Sequence, residues 1–129
     1  MARTPEGRVK DAVVRILKAA GVYYFFPVTG GYGISGVFDI VCNVQGIFVG
    51  IETKATAKAK PTMLQSRNAA LAKASGCTVL LIHNDNTHLV AETLTRIAND
   101  PTYRHNPTCV WPFDGVEEGS FRLAESVGV

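Results

Sequence analysis

The run from Cys77 to His83, Cys-Thr-Val-Leu-Leu-Ile-His, is apolar at nearly every position. A strand with one wet face alternates apolar and polar residues; a continuous apolar run marks a strand buried on both faces. Such a strand needs helices above and below its sheet, so the flanking segments must supply them. They do. Thr4 can cap a first helix with Pro5 at its first position, and Val9, Val13, Ile16, Leu17 and Ala20 fall on one face. Arg8, Asp11, Arg15 and Lys18 take the opposite face, and Gly21 supplies the stop. Thr62 can cap a second helix reaching Ser75 and closed by Gly76, and Asn86 a third running through Ala98.

Between the first two helices the chain reads as strands. Val22 to Val28 is apolar and aromatic, and Pro27 puts it at an edge or ends it. Thr29 to Gly36 is a glycine-rich loop. Val37 to Val44 and Ile47 to Lys54 flank the turn Gln45-Gly46 and read as a hairpin. The order is α-β-β-β-α-β-α, an α/β fold with a mixed central sheet flanked by helices. The expectation is a single domain over 1–129, with a core of about 4–98. The extension 99–129 has aromatics but no period, and is expected to be irregular, packed on the core or contacting another copy.

Hydrophobic residues at 47% and charged residues at 19% fit a folded domain that needs no staples. No apolar run approaches the ~20 residues that cross a bilayer, and no apolar leader follows Arg3. Cys42, Cys77 and Cys109 are far apart and read as reduced thiols, so a cytoplasmic protein of a phage or bacterial cell is expected. The net charge of +2 conceals a split. Residues 1–76 carry ten Lys and Arg against four acids, and residues 77–129 carry three against seven. A basic segment can hold phosphates, and its few acids then need a reason; a solvated basic surface gives the same count.

Two of those acids stand in the hairpin. A turn centred on Gln45-Gly46 sets Asp39 beside Glu52, and Lys54, two residues on, points the same way as Glu52. Two carboxylates and a lysine on one patch suit metal-assisted phosphodiester hydrolysis. Magnesium takes carboxylate oxygens and retains waters, leaving room for a phosphate. A metal-bound water is acidified, and a nearby lysine can orient it or stabilise developing charge. Glu6, at the first helix's N-terminus and near its buried stripe, could add a ligand or hold a metal water; the helix dipole alone also favours an acid there. The competing arrangement pairs Asp39 with Lys54 and leaves Glu52 solvated, which apolar Phe38, Ile40, Val41 and Ile51 make costly.

Gly36-Val37-Phe38-Asp39-Ile40 followed by Ile51-Glu52-Thr53-Lys54 resembles the PD…ExK signature of restriction-endonuclease-like nucleases, the PD-(D/E)xK superfamily. Glu6 on the first helix, the glycine run before Asp39, and Pro61-Thr62-x-x-Gln65 opening the next helix resemble its VRR-NUC group. The resemblance spans Glu6 to His83 and implies the αβββαβ core. It implies Asp39 and Glu52 as metal ligands with the Thr53 carbonyl, Lys54 as catalytic lysine, Gln65 as a supporting residue and Glu6 as a further acid. Phe38 departs from the pattern, which usually has proline there. The expected activity is a Mg2+- or Mn2+-dependent DNA endonuclease, structure-specific and Holliday-junction resolvase-like, cutting branched DNA as a homodimer. A non-catalytic nucleic-acid-binding domain on the same fold is the alternative, and an RNA-processing nuclease a third.

Gly31-x-Gly33-x-x-Gly36 spells a dinucleotide fingerprint, but that motif opens a helix and here a strand follows. The loop can instead lie beside the site, with Ser35 bonding a phosphate or its own turn. Lys58 and Lys60 are candidate phosphate contacts. His83, His88 and His105 have no metal spacing, and no serine or cysteine shows a nucleophile signature.

Overall fold

The computed structural model describes residues 3–28 and 36–113. Helix α1 spans Pro5–Ala19, strands β1 Tyr23–Phe25, β2 Ile40–Val44 and β3 Ile47–Thr53, helix α2 Met63–Ala74, strand β4 Thr78–Ile82, helix α3 His88–Asn99 and strand β5 Cys109–Val110, with a 3-10 turn at Tyr103–His105. The strands form one sheet in chain order. The β1–β2 and β2–β3 pairs are antiparallel; β3–β4 and β4–β5 are parallel. The sheet is therefore mixed, and helices lie on both faces, as the sequence led one to expect.

The central strands divide their side chains between two cores. Ile40, Cys42, Val49, Ile51, Leu80 and Ile82 pack against Val9, Val13 and Leu17 of α1 and Val90 and Ile97 of α3. On the opposite face, Phe38, Val41 and Val79 pack against Ala69 of α2. All five residues of β4 are buried, which is what its unbroken apolar run demands. Thr4 caps α1 by accepting from Gly7 N at 3.0 Å. Gly50 of β3 lies under the Phe38 ring so closely that a Cβ there would overlap it. The ring is also edge-on to Trp111 at 6.3 Å and cannot retreat freely. Gly50→Ala is therefore expected to destabilise by about 1–3 kcal/mol through overpacking, read by chemical denaturation; an unchanged midpoint would show that Phe38 repacks at no cost.

Three expectations change. Asn86 does not cap α3: the N-cap is Thr87, with no side-chain cap bond. The Asn86 side chain instead accepts from His83 N at 2.7 Å and donates to Leu81 O at 3.1 Å, tying the end of β4 to the turn. β1 and β2 are shorter than their apolar runs, because residues 26–28 and 37–39 leave the ladder. The segment after α3 does pack on the core, but it also adds β5 to the sheet edge, with Cys109 beside Val79. Buried Tyr103 fastens it, its hydroxyl bonding Thr78 Oγ1 and accepting from Thr108 N at 3.0 Å. Residues 114–129 of the expected extension lie outside the described residues.

Candidate metal centre

The β2–β3 hairpin fixes the site. Gln45 and Gly46 both have positive φ, 53° and 85°, the conformation that matches a tight turn to the twist of its strands. Asn43 Oδ1 accepts from Gly46 N at 2.8 Å and closes the turn. Pairing then runs to Ile40 opposite Ile51, and one further step brings Asp39 beside Glu52. The register read from the sequence is the register of the molecule.

Asp39 lies just beyond the last ladder residue of β2, where Thr53 N has lost its strand partner. The Asp39 carboxylate replaces that partner: Oδ2 accepts from Thr53 N and from Thr53 Oγ1, both at 2.9 Å. Oδ1 has no hydrogen-bond partner among the described residues. Lys54 N continues the ladder on the other side, donating to Ile82 O at 2.9 Å, so the backbone at Thr53 is held by both neighbours. The Thr53 hydroxyl contact had no sequence signal, since it depends on β2 ending one residue before Asp39.

Glu52 is 2% exposed, and its surroundings oppose its charge. Burial, aided by the Asp39 carboxylate and more weakly by Glu6, pushes its pKa up to about 8 against the pull of Lys54. Gln65 holds it in place. Gln65 stands at the third position of α2 and closes a capping box: Thr62 Oγ1 accepts from Gln65 N at 3.1 Å, and Gln65 Oε1 accepts from Thr62 N at 2.9 Å. With its carbonyl engaged by the cap, the Gln65 amide must present Nε2, which donates to Glu52 Oε2 at 2.8 Å. The pattern Thr62-x-x-Gln65 is a legible capping box; the contact to Glu52 is not. Lys54 Nζ lies 3.7 Å from the same Glu52 oxygen. The alternative Asp39–Lys54 pair with a solvated Glu52 is not the arrangement found.

Glu6 lies in the first turn of α1 and is exposed, not on the buried stripe. The stripe starts at Val9, and the first turn projects past the core toward solvent. No three His, Cys, Asp or Glu side chains gather into a cage among the described residues, so Glu6 lends the centre charge without closing it. Lys58 and Lys60 are exposed in the β3–α2 connection. Ser35, with Gly31 and Gly33, lies outside the described residues; Gly36 lies within them, at a φ of 82°. Its Cα faces the first turn of α2, where a Cβ would meet Leu64 O at 2.8 Å, so only glycine lets the chain pass this close to α2.

The donor chemistry fits a hard divalent cation. Asp39 and Glu52 offer carboxylate oxygens and Thr53 a carbonyl at one strand end, all oxygen ligands of the kind magnesium takes while keeping waters. A buried carboxylate held near neutrality beside a second carboxylate gains from a cation at that point more than any solvated acid does. The thiols are no competitors, since burial pushes Cys42 up to about 12.

No protein-family model matches this sequence, and no curated protein does. A solved structure titled "VRR_NUC domain" matches the fold with a TM-score of 0.60 and 21% sequence identity, covering 76% of this chain and 99% of that one. The likeness is one of fold alone.

Proposed function

We infer that the chain is a metal-dependent nuclease that hydrolyses phosphodiester bonds in DNA, with Asp39, Glu52 and the Thr53 carbonyl as ligands of Mg2+ or Mn2+. The observation that carries the reading is the convergence of a near-neutral buried Glu52, Asp39 and Lys54 at one strand end on a nuclease-family fold. When bound, the ion acidifies a water and offsets charge on the scissile phosphate. The chain's own residues do the rest. Gln65 fixes the Glu52 carboxylate, Thr53 fixes Asp39, and the Lys54 ammonium orients the attacking water or stabilises negative charge as it develops. Glu6 orients a water at the rim, and Ser35, Lys58 and Lys60 contact the backbone phosphates.

The finer reading is a structure-specific, Holliday-junction resolvase-like endonuclease acting on branched DNA. One centre per chain cuts one strand, so two coordinated cuts call for a homodimer with paired sites. The competing reading is a nucleic-acid-binding module that retains this fold without catalysis. Titration calorimetry separates them. Magnesium added at pH 7 is expected to bind and release nearly one proton, because Glu52 at about 8 must ionise to ligate. Asp39→Asn should weaken binding by about tenfold or more. No binding at millimolar magnesium by the folded protein would move the assignment to the non-catalytic module.

A further inference from the structure

Three aromatic side chains stand exposed on the face of the sheet that α2 covers only in part. Tyr23 and Phe25 of β1 are 73% and 47% exposed, and Phe48 of β3 is 42%. Their rings share one face, with Tyr23 and Phe25 6.3 Å apart and Phe48 6.4 Å from Phe38. The register sets them in rows that lead to the metal centre. Tyr23 and Phe48 both flank Asn43, and Phe25 lies opposite Val41. Asp39 lies two residues before Val41, just past the end of β2 at Ile40. A hollow of about 320 Å³ separates Phe48 and Val41 from Leu71 of α2, with Asn68 and Ser75 as its polar walls.

From the end of β3 through α2 the chain carries charge of one sign. Between Glu52 and Asp85 there is no acid, while Lys54, Lys58, Lys60, Arg67 and Lys73 all fall there. These cations lie at the β3 end, in the connection and on α2, whose Asn68, Leu71 and Ser75 line the hollow; the Lys73 ammonium lies over Phe113 on the far side. An occupant must therefore offer flat apolar faces and negative charge together. A second copy of the chain offers the rings but brings the same positive layer to the contact. A duplex offers the charge, but its bases are already stacked on one another. An unpaired strand offers both, since each base has a free face and each nucleotide a phosphate.

We propose that Tyr23, Phe25 and Phe48 form a stacking platform for unpaired nucleotides, which holds a single-stranded arm against the sheet and leads it to the Asp39–Glu52 centre. The proposal rests on the nuclease reading for its consequence: the preferred DNA has an unpaired segment next to the cut. Asn68 and Ser75 then meet the edge of a base lodged in the hollow, and the α2 layer meets the phosphates.

The test is fluorescence anisotropy with the full chain in EDTA, using a labelled single strand and the duplex of the same sequence. The Tyr23→Leu/Phe48→Leu double variant keeps apolar bulk and loses the rings. It should bind the single strand about 10- to 100-fold more weakly, change duplex affinity by less than about twofold, and keep the salt dependence. Tyr23→Trp should restore single-strand binding against a Phe48→Leu background. Equal losses on both DNAs, or none on either, would overturn the platform. So would a shift from dimer to monomer in sedimentation with DNA affinity intact, which would assign the stripe to a contact between copies. Cleavage in magnesium is followed in parallel. Ring-dependent binding without cleavage would keep the platform and remove the nuclease; Lys54-dependent cleavage with ring-independent binding would do the reverse.

Discussion

Glu52→Gln is expected to make the metal-free protein more stable at pH 8 while abolishing its cleavage. The sign follows from the folded-state pKa of about 8 against an ordinary value of 4.5. Below pH 4.5 both folded and unfolded chains carry the proton, and Glu52 contributes nothing. Between 4.5 and 8 the folded chain keeps a proton that the unfolded chain has lost, so stability falls as pH rises, by about 1.4 kcal/mol per unit. Above 8 the full cost of an ionised, buried carboxylate is present, on the order of 5 kcal/mol. Glutamine carries no such charge and can still accept from Gln65 Nε2 through its amide oxygen. Thermal denaturation in EDTA should therefore show a wild-type midpoint that declines from pH 5 to pH 8 and a variant midpoint that does not. Magnesium should recover the wild type at pH 8 and leave the variant unmoved, since a ligand that binds only the folded state stabilises it by mass action. A wild-type profile parallel to that of the variant would mean that Glu52 is not held near neutrality and that the centre lacks the electrostatic reason for a cation.

Lys54→Ala is expected to lower the cleavage rate by about 10²- to 10³-fold with little change in magnesium affinity. The Lys54 side chain is 15% exposed, and its ammonium lies 3.7 Å from Glu52 Oε2, outside hydrogen-bond range. It is therefore a fixed charge beside the centre, free to face a phosphate. Its loss removes stabilisation of the transition state, so the effect belongs in kcat rather than KM. Removing the cation also leaves Glu52 with less opposition to its protonated form, so the apparent pKa of the activity profile should move upward in any residual activity. A loss confined to KM would make Lys54 a phosphate-binding group and leave the chemistry without its cation.

Much of this site is legible in the chain because two rigid periods meet at Gln45-Gly46. Strand side chains repeat every two residues, so once the turn is placed, Asp39 must face Glu52 and Lys54 must share its side. The unbroken apolar stretch at β4 likewise leaves no choice but burial on both faces. What escaped lies where a contact depends on an ending. Asp39 binds Thr53 only because β2 stops at Ile40. Gln65 reaches Glu52 only because Thr62 has taken its carbonyl. β5 is two residues long, too short for any period, and its anchor, Trp111 Nε1 donating to Ser66 Oγ at 3.1 Å, joins residues 45 apart in sequence. Glu6 shows the opposite failure: helical spacing places it near the buried stripe, but the first turn of α1 lies beyond the core's reach. Phe38, the departure from the family pattern, is explained by Gly50 beneath it and Trp111 beside it, a packing trio rather than a change in the chemistry.

The measurement that bears most directly on the central claim is cleavage of a labelled four-way junction and a matched linear duplex by the purified protein, with magnesium, manganese or EDTA, beside Lys54→Ala. The account predicts junction cutting that requires a divalent ion and is lost in the variant. Cutting of both DNAs on those terms would keep the nuclease and discard its preference for branched DNA. Tight binding of both without cutting under either metal would contradict the account and leave a nucleic-acid-binding module on a nuclease fold.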